Sequence, residues 1–355
     1  MATPKENGYY MPAEWHPHAA CWMAWAACAE TFSKAPLAQG EAYFEAKNCY
    51  GRIAQAISRF EPVFMLANKS DMVEAQKLCG PQVKIIEAEI DDGWLRDTGP
   101  TFVINKSGGI AGINWIFNGW GGRYPSDKDN NIAGKVISQL GIRQFDSPLV
   151  LEGGGIHVDG GGTLLVTESC QLNKNRNPDL SKAEIESYLQ NYLNVDHIIW
   201  LNGNREGSVT DGHVDGLASF IRPGVVMAAV PSDRSHPDYE ALQENLEILN
   251  RSKDAKGRAI KVVEVREPYA YLNNGALVKG IYANFYMANG GIILPAFDFA
   301  EFDQAALEVF KSEFPNCEIV QLMTRILLFG GGNIHCLTQQ QPASDNEYSI
   351  TKRGN

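Results

Sequence analysis

The chain repeats one pattern of apolar and polar segments. In one copy, short apolar segments at residues 156–158 and 163–167 flank the turn Asp-Gly-Gly-Gly, which is typical of a β-hairpin. The amphipathic segment at residues 181–193 predicts a helix, and the apolar segment at residues 197–201 predicts a third strand. This copy therefore has the order ββαβ.

The same order recurs along the chain. Further copies begin near residues 101, 217 and 282. The segments at residues 18–25 and 334–338 are predicted strands that lack a hairpin partner. Pairing these two strands would complete a fifth unit and close the chain into a ring without exposed sheet edges. The pattern predicts a closed α/β domain of five ββαβ units, and the alternative is an ordinary α/β sandwich of mixed strands.

Charge and cysteine content narrow the possible partners. A net charge of −11 disfavours nucleic acid and anionic membranes and is compatible with a cationic ligand. No apolar run approaches the roughly 20 residues that span a bilayer, and the first residues show no secretory signal. Seven cysteines without a Cys-x-x-Cys pair indicate reduced thiols. We expect a cytoplasmic protein with one domain, about residues 8–342, and a polar tail at residues 343–355.

Polar segments, most of them rich in glycine, stand where the repeated units begin. They are residues 91–100, 151–157, 210–216 and 330–336. The second and fourth align as Glu-Gly-Gly-Gly-Ile-His-Val on Gly-Gly-Gly-Asn-Ile-His-Cys, so the cysteine takes the place of Val158. Equivalent positions of a pseudo-symmetric ring point to one shared centre. That centre is expected to gather Asp97, Glu152, His213, Asp215 and Cys336.

This set suits covalent catalysis at a cysteine. A thiolate is a strong nucleophile, and a neighbouring imidazolium lowers the pKa of the thiol. We expect His213 to activate Cys336 in this way and to carry protons to a leaving amine and from a water molecule. Glu152 would orient the imidazole or relay protons. On an extended strand His335 would face away from Cys336, which excludes His335 as the base.

The two aspartates indicate the substrate class. Paired carboxylates, here Asp97 and Asp215, match the forked N–H donors of a planar guanidinium group. The glycines before Cys336, Gly331 among them, leave room for such a flat group beside the backbone. The sequence therefore predicts nucleophilic attack on a guanidino carbon.

Each of these residues also has a structural interpretation. Asp97 precedes Thr-Gly-Pro and could belong to a turn, and a lone cysteine is commonly a core residue. His213 and Asp215, on one face of a strand, could form only a structural hydrogen bond. His157 together with these two residues would give a metal-dependent amidohydrolase, although further ligands at zinc-type spacing are missing from the sequence.

Motifs along nearly the whole chain resemble those of the agmatine deiminase family, in the superfamily of guanidino-group-modifying enzymes. They are MPAEW at residues 11–15, WLRDTGPT at 94–101, FNGWGG at 117–122, LEGG at 151–154, LNKNRNP at 172–178, GHVD at 212–215, ANGG at 288–291 and GGNIHCLTQQQP at 331–342. The resemblance implies a five-bladed α/β propeller that hydrolyses agmatine to N-carbamoylputrescine and ammonia. It also implies a place in putrescine and polyamine biosynthesis from arginine, no cofactor or metal, and a homo-oligomer, either a dimer or a larger assembly such as a tetramer.

The resemblance assigns roles to the same residues. Cys336 attacks the guanidinium carbon to give an amidino-cysteine intermediate, and His213 and Glu152 act as the acid/base pair. The guanidinium ligands are Asp97 and Asp215. Trp94 and Trp120 line the pocket.

One position departs from the family pattern. Several family members carry an acidic residue just before the Thr of a Thr-x-Gly-His segment, where it holds the far amine of the substrate. This chain has Val209 there, and Asp211 and Glu14 are the candidates to replace it. The alternatives within the enzyme class are deimination of free arginine or of peptidyl-arginine, and outside it a non-catalytic guanidine- or polyamine-binding protein.

Overall fold

Helices and strands alternate along the chain. The structure, a computed structural model, describes residues 2–344. Its strands are Tyr9–Tyr10 (β1), His18–Ala24 (β2), Val63–Ala67 (β3), Val83–Glu87 (β4), Thr101–Asn105 (β5), Ile110–Ile116 (β6), Arg143–Val150 (β7), His157–Val158 (β8), Thr163–Thr167 (β9), His197–Leu201 (β10), Ala218–Arg222 (β11), Val225–Pro231 (β12), Lys261–Glu267 (β13), Tyr269–Tyr271 (β14), Leu277–Lys279 (β15), Tyr286–Ala288 (β16), Gly291–Ala296 (β17), Glu318–Met323 (β18) and Thr338–Pro342 (β19). Its α-helices and helical turns are Gln39–Ile57 (α1), Met72–Cys79 (α2), Leu95–Thr98 (α3), Gly119–Gly122 (α4), Ile132–Leu140 (α5), Glu168–Gln171 (α6), Lys182–Leu193 (α7), Tyr239–Arg251 (α8), Ala300–Glu313 (α9) and Ile334–Leu337 (α10). The protein is of the α/β class, as predicted.

The predicted ββαβ units form separate sheets. In one of them β8 pairs antiparallel with β9, and β10 returns to pair parallel with β9. The parallel pairing needs a crossover, which α7 provides. The same strand order is found in β5–β6–β7, β11–β12–β13 and β16–β17–β18. The repeat predicted from the hydrophobic pattern is therefore confirmed.

The two terminal strands pair with each other, as predicted. β19 runs antiparallel to β2, with Thr338 opposite Met23, and β2 runs parallel to β3. The predicted position of the last strand is wrong, because residues 334–337 form the helical turn α10. The side chain of Asn333 accepts a hydrogen bond from the backbone N–H of Ile334 at 3.0 Å and caps this turn. Asparagine in this position was the sequence signal for a helix start.

A buried carboxylate joins the closing sheet to the sheet of β16. Glu61 Oε2 lies 3.1 Å from Nδ1 of His18 at the start of β2. The hydroxyl of Tyr286 donates to Glu61 Oε1 at 2.6 Å, and the backbone N–H of Asn289 donates to Oε2 at 2.9 Å. Glu61 therefore satisfies polar groups of both sheets where water has little access.

Two features of the ends and helices complete the description. Every helix within residues 2–344 is too short or too polar to cross a lipid bilayer. Residues 345–355 of the predicted polar tail lie outside the described residues.

Replacing Glu61 tests the junction between the two sheets. We expect Glu61→Ala to lower the free energy of unfolding by about 3 kcal/mol, because the buried side chains of His18 and Tyr286 and the backbone N–H of Asn289 lose their acceptor. Glu74→Ala is the matched control, since Glu74 pairs with Lys47 at 2.7 Å but is 39% exposed. That control should cost roughly 0.5 kcal/mol. Urea unfolding followed by tryptophan fluorescence measures both, and equal losses would show that the junction is not important for stability.

Candidate active site

The candidate residues lie on short helical turns where the chain enters four of the sheets. α3 leads into β5, α10 leads into β19, and two 3-10 turns lead into β8 and β11. These turns carry Asp97 (α3), Glu152 (before the turn Gly153–Gly155), His213 and Asp215 (at the turn Val214–Gly216) and Cys336 (α10). The expectation that His213 and Asp215 lie on an extended strand is wrong. The structure nevertheless brings all five side chains together.

The thiol of Cys336 lies beside a carboxylate and an amide. Its Sγ is 3.4 Å from Oδ2 of Asp215, and the side-chain amide of Asn284 donates to it at 3.2 Å. Burial, followed by the charges of Asp215 and Asp97, raises the pKa of this thiol well above its ordinary value. In the ligand-free protein the charges that act most strongly on the pKa of Cys336 are therefore those of carboxylates, and activation of the thiol by His213 stays a prediction.

His213 lies between two carboxylates. Its Nδ1 is 3.7 Å from Oδ1 of Asp97, and its Nε2 is 3.6 Å from Oε2 of Glu152. Burial opposes the charged ring, but Asp97, Cys170 and Glu152 together raise the pKa of His213 well above its ordinary value. The surrounding groups therefore favour the protonated form of the ring, which has a proton to give.

Asp97 is held by donors on two sides. The backbone N–H of Gly154 donates to its Oδ1 at 2.9 Å, and the indole N–H of Trp120 donates to its Oδ2 at 2.8 Å. A Cβ atom on Gly154 would lie 2.6 Å from Nδ1 of His213, 2.9 Å from Oδ1 of Asp97 and 3.0 Å from Oδ2 of Asp215. Only glycine fits between these three groups, so the glycine-rich segment sets the spacing of the site.

His335 fixes the second aspartate. Its Nδ1 lies 2.9 Å from Asp215 Oδ2, and its Nε2 lies 2.7 Å from Oε1 of Glu14. On the turn α10, unlike on the expected strand, both His335 and Cys336 reach Asp215. With a carboxylate on each ring nitrogen, His335 positions Asp215. Glu14 also lies 3.6 Å from Arg96. It lines neither of the two pockets that meet at Cys336, so it is not placed to hold the far amine of a substrate.

A second chain of charges fixes Glu152. Arg176 donates from Nε to Glu152 Oε1 at 2.8 Å and from Nη1 to Oδ2 of Asp211 at 2.5 Å. Burial acts against the charged carboxylate, but His213 and Arg176 lower the pKa of Glu152. Asp211 is also held by Arg123 at 2.6 Å and lies outside the lining of both pockets at Cys336. The structure therefore makes Asp211 a support for Arg176 and not a pocket residue.

Two pockets meet at Cys336. The wider one has a volume of about 150 Å³ and contains His213 and Asp215 in its wall. The other, which we call the slot, is narrower and is lined by Thr31, Asp92, Trp94, Asp97, Trp120, Tyr124, Val209, Thr210, Gly330, Gly331, Gly332 and Cys336. Three of the predicted pocket residues, Trp94, Trp120 and Gly331, thus line the slot.

Potential metal ligands fall into separate groups. Within residues 2–344 the groups of three ligand atoms within 4.8 Å of one another are Glu14 with His157 and His335, Glu152 with Cys170 and His213, and His236 with Asp238 and Glu267. The metal-dependent alternative required His157, His213 and Asp215 in one site. The structure places His157 and His213 in different groups.

Three contributors to the site were not recognised from the sequence. Asn284 interrupts an apolar run, and such a polar residue is a signal for a buried contact. Arg176 stands in the motif LNKNRNP but could not be placed without the fold, and His335 was excluded by an incorrect strand assignment. All three act on a predicted residue through a hydrogen bond or an ion pair.

Known proteins share both the sequence and the fold. A family model described as Porphyromonas-type peptidyl-arginine deiminase matches residues 10–342. A relative from Legionella pneumophila is 49% identical over 344 residues, which are 96% of this chain and 97% of the relative. The agmatine deiminase of Stutzerimonas stutzeri is 41% identical, over 96% of this chain and 98% of its own. The solved structure of the agmatine deiminase of Enterococcus faecalis has a TM-score of 0.91 at 35% identity and covers 97% of this chain and 98% of its own.

Fold, site and relatives together define an enzyme that acts on a guanidino group. The chain belongs to the agmatine deiminase family, which confirms the resemblance drawn from its motifs.

Adding one methyl group at Gly154 tests the spacing of the site. We expect Gly154→Ala to lower kcat/KM at least about 100-fold, because the new Cβ displaces His213 and both aspartates from their positions. Gly134→Ala is the matched control. Gly134 lies in α5, where an added Cβ meets nothing closer than 3.7 Å, so this variant should keep its activity and gain roughly 0.5–1 kcal/mol of stability. Equal activity of the two variants would contradict the geometry.

Proposed function

We propose that the protein hydrolyses agmatine to N-carbamoylputrescine and ammonia through a covalent intermediate on Cys336. The observation that carries the proposal is a buried thiol beside Asp215, in a site where the imidazolium His213 lies between Asp97 and Glu152. The relatives named as agmatine deiminases support agmatine as the substrate. The five sheets would then surround this centre as the blades of a propeller.

The charge of the substrate prepares the nucleophile. A guanidinium held by Asp97 and Asp215 compensates the two charges that keep the thiol protonated. The pKa of Cys336 then falls, and the thiol releases its proton to solvent. The thiolate attacks the guanidinium carbon and forms a carbon–sulfur bond.

His213 then serves both halves of the reaction. It donates its proton to the departing nitrogen, the carbon–nitrogen bond breaks, and ammonia leaves an S-alkylthiouronium on Cys336. The neutral imidazole next takes a proton from water, and the resulting hydroxide attacks the same carbon. As the carbon–sulfur bond breaks, the proton of the added hydroxyl passes to the leaving sulfur, which releases N-carbamoylputrescine and restores the thiol. Glu152, held by Arg176, keeps the ring oriented and stabilises its charged form.

The pairing of the arginines favours agmatine over arginine. Free arginine would need a cation for its α-carboxylate. Arg123 and Arg176 are both paired with Asp211, and Arg205 is paired with Asp238 and Glu267. Arg96 is buried near Glu14. These four arginines are thus already neutralised by carboxylates.

Two further proposals rest on the family alone. They are a role in putrescine and polyamine biosynthesis and a homo-oligomeric assembly. Both stay predictions.

Ammonia release from agmatine, free arginine and an arginine-containing peptide tests the proposed function. We expect agmatine to be the preferred substrate, and Cys336→Ser to lower its turnover at least about 1000-fold, because a hydroxyl does not replace the thiolate. Cys317→Ser is the matched control, since Cys317 is a half-buried cysteine away from the site. It should leave turnover unchanged.

Three outcomes would contradict the proposal. Inertness towards agmatine with turnover of arginine would exclude the substrate. Full activity of Cys336→Ser would exclude the covalent step. Loss of activity in a chelator that zinc or manganese restores would favour the metal-dependent alternative.

A further inference from the structure

The slot contains a second buried carboxylate that the chemistry at Cys336 does not use. Asp92 is 8% exposed and lines the slot together with Asp97 and Cys336. Asp92 stands five residues before Asp97, in the polar segment at residues 91–100, and the sequence alone indicated no role for it. A buried carboxylate in a substrate pocket needs a partner.

Asp92 has hydrogen-bond donors but no cation. The hydroxyl of Thr31 donates to its Oδ2 at 2.7 Å, and the backbone N–H of Gly93 donates to its Oδ1 at 2.8 Å. Among the described residues no lysine, arginine or histidine forms an ion pair with it. Burial raises the pKa of Asp92 to about 6. Asp97, the other carboxylate that lines the slot, lies 3.7 Å from His213, whereas Asp92, like the buried Asp129 and Asp303, is held by neutral donors alone.

The walls of the slot suit an apolar chain that ends in a cation. The rings of Trp94, Trp120 and Tyr124 line it between the carboxylates, and aromatic faces attract both methylene groups and ammonium groups. Among residues 2–344, none that lines the slot is a lysine or an arginine. Arg205 and Lys279 line the wider pocket, where both are paired with Asp238. The slot has a volume of about 20 Å³ and must widen to admit the methylene chain, but its two carboxylates, Asp92 and Asp97, match a molecule with a positive charge at each end.

We propose that Asp92 binds the terminal ammonium group of an ω-guanidinoalkylamine whose guanidinium group lies at Asp97 and Asp215. This inference rests on the proposed function and deepens it. Val209, the position at which family members carry an acidic residue, lines the slot as an apolar side chain. Asp92 supplies the negative charge that Val209 cannot provide. The indole rings of Trp94 and Trp120 hold the methylene spacer.

Comparing two substrates isolates the ammonium contact. Agmatine carries the ammonium group, whereas butylguanidine has the same spacer length and a neutral end. We expect Asp92→Asn to raise KM for agmatine by about 10- to 100-fold, because a charge-assisted hydrogen bond is lost. The value of kcat should change by less than about threefold. The kinetic constants for butylguanidine should stay at their wild-type values, which also shows that the variant is folded. Asp92→Glu, which keeps the charge, should recover part of the affinity for agmatine.

Two neighbouring carboxylates provide controls. Asp91→Asn removes the same charge one residue away, from a side chain that does not line the slot and lies 3.7 Å from Lys128. It should leave both substrates unaffected. Glu206 lines the wider pocket, so a rise in the agmatine KM for Glu206→Gln and not for Asp92→Asn would place the tail there and overturn the inference.

The remaining outcomes separate this inference from the proposed function. Equal loss of both substrates in Asp92→Asn would show that Asp92 supports the slot without binding the ammonium, and would also overturn the inference. If the wild-type enzyme turns over agmatine and Asp92→Asn has the same KM for it, the result contradicts only the proposed ammonium site. Wild-type enzyme that is inert towards agmatine contradicts the proposed function itself.

Discussion

A buried thiol in a carboxylate-rich site is the constraint around which the rest of the structure is arranged. Asp215 touches Sγ of Cys336, and the charges of Asp215 and Asp97 disfavour the thiolate. In the mechanism that we propose, such a thiol becomes reactive when a cation binds beside it. Substrate binding and nucleophile activation would then be one electrostatic event, which selects for a positively charged ligand. The glycine at position 154 leaves the space in which His213 and the two aspartates approach each other.

Two chains of alternating charge hold this arrangement. One runs from Glu152 through Arg176 to Asp211, and the other runs from Asp215 through His335 to Glu14. Each carboxylate in these two chains therefore has a cation that offsets the cost of its burial and fixes its orientation. The functional groups themselves sit on short turns at the sheet entrances, and the charge chains supply the rigidity that such turns lack alone.

Much of the fold and of the site could be predicted from the sequence because the hydrophobic pattern is periodic. The hydrophobic repeat predicts the hairpins, the helices and the pairing of residues 18–25 with the C-terminal strand. It also places the five central residues at equivalent positions of the repeated units. The failures concern single turns and long-range contacts. A four-residue turn such as α10 has no period, so only the cap at Asn333 marked it. The ion pairs of Arg176 and His335 join segments far apart in sequence, and local patterns carry no information on them.

The pH dependence of Cys336 alkylation in the ligand-free enzyme tests the account most directly. A neutral reagent such as iodoacetamide reacts with the thiolate, and mass spectrometry of the peptide that contains Cys336 gives the rate at each pH. Because the pKa of the thiol is raised, the rate should be low at neutral pH and should still be increasing above pH 9, the ordinary pKa of a cysteine. A rate that reaches its plateau below about pH 8 would mean a preformed thiolate, and would contradict activation by the charge of the substrate.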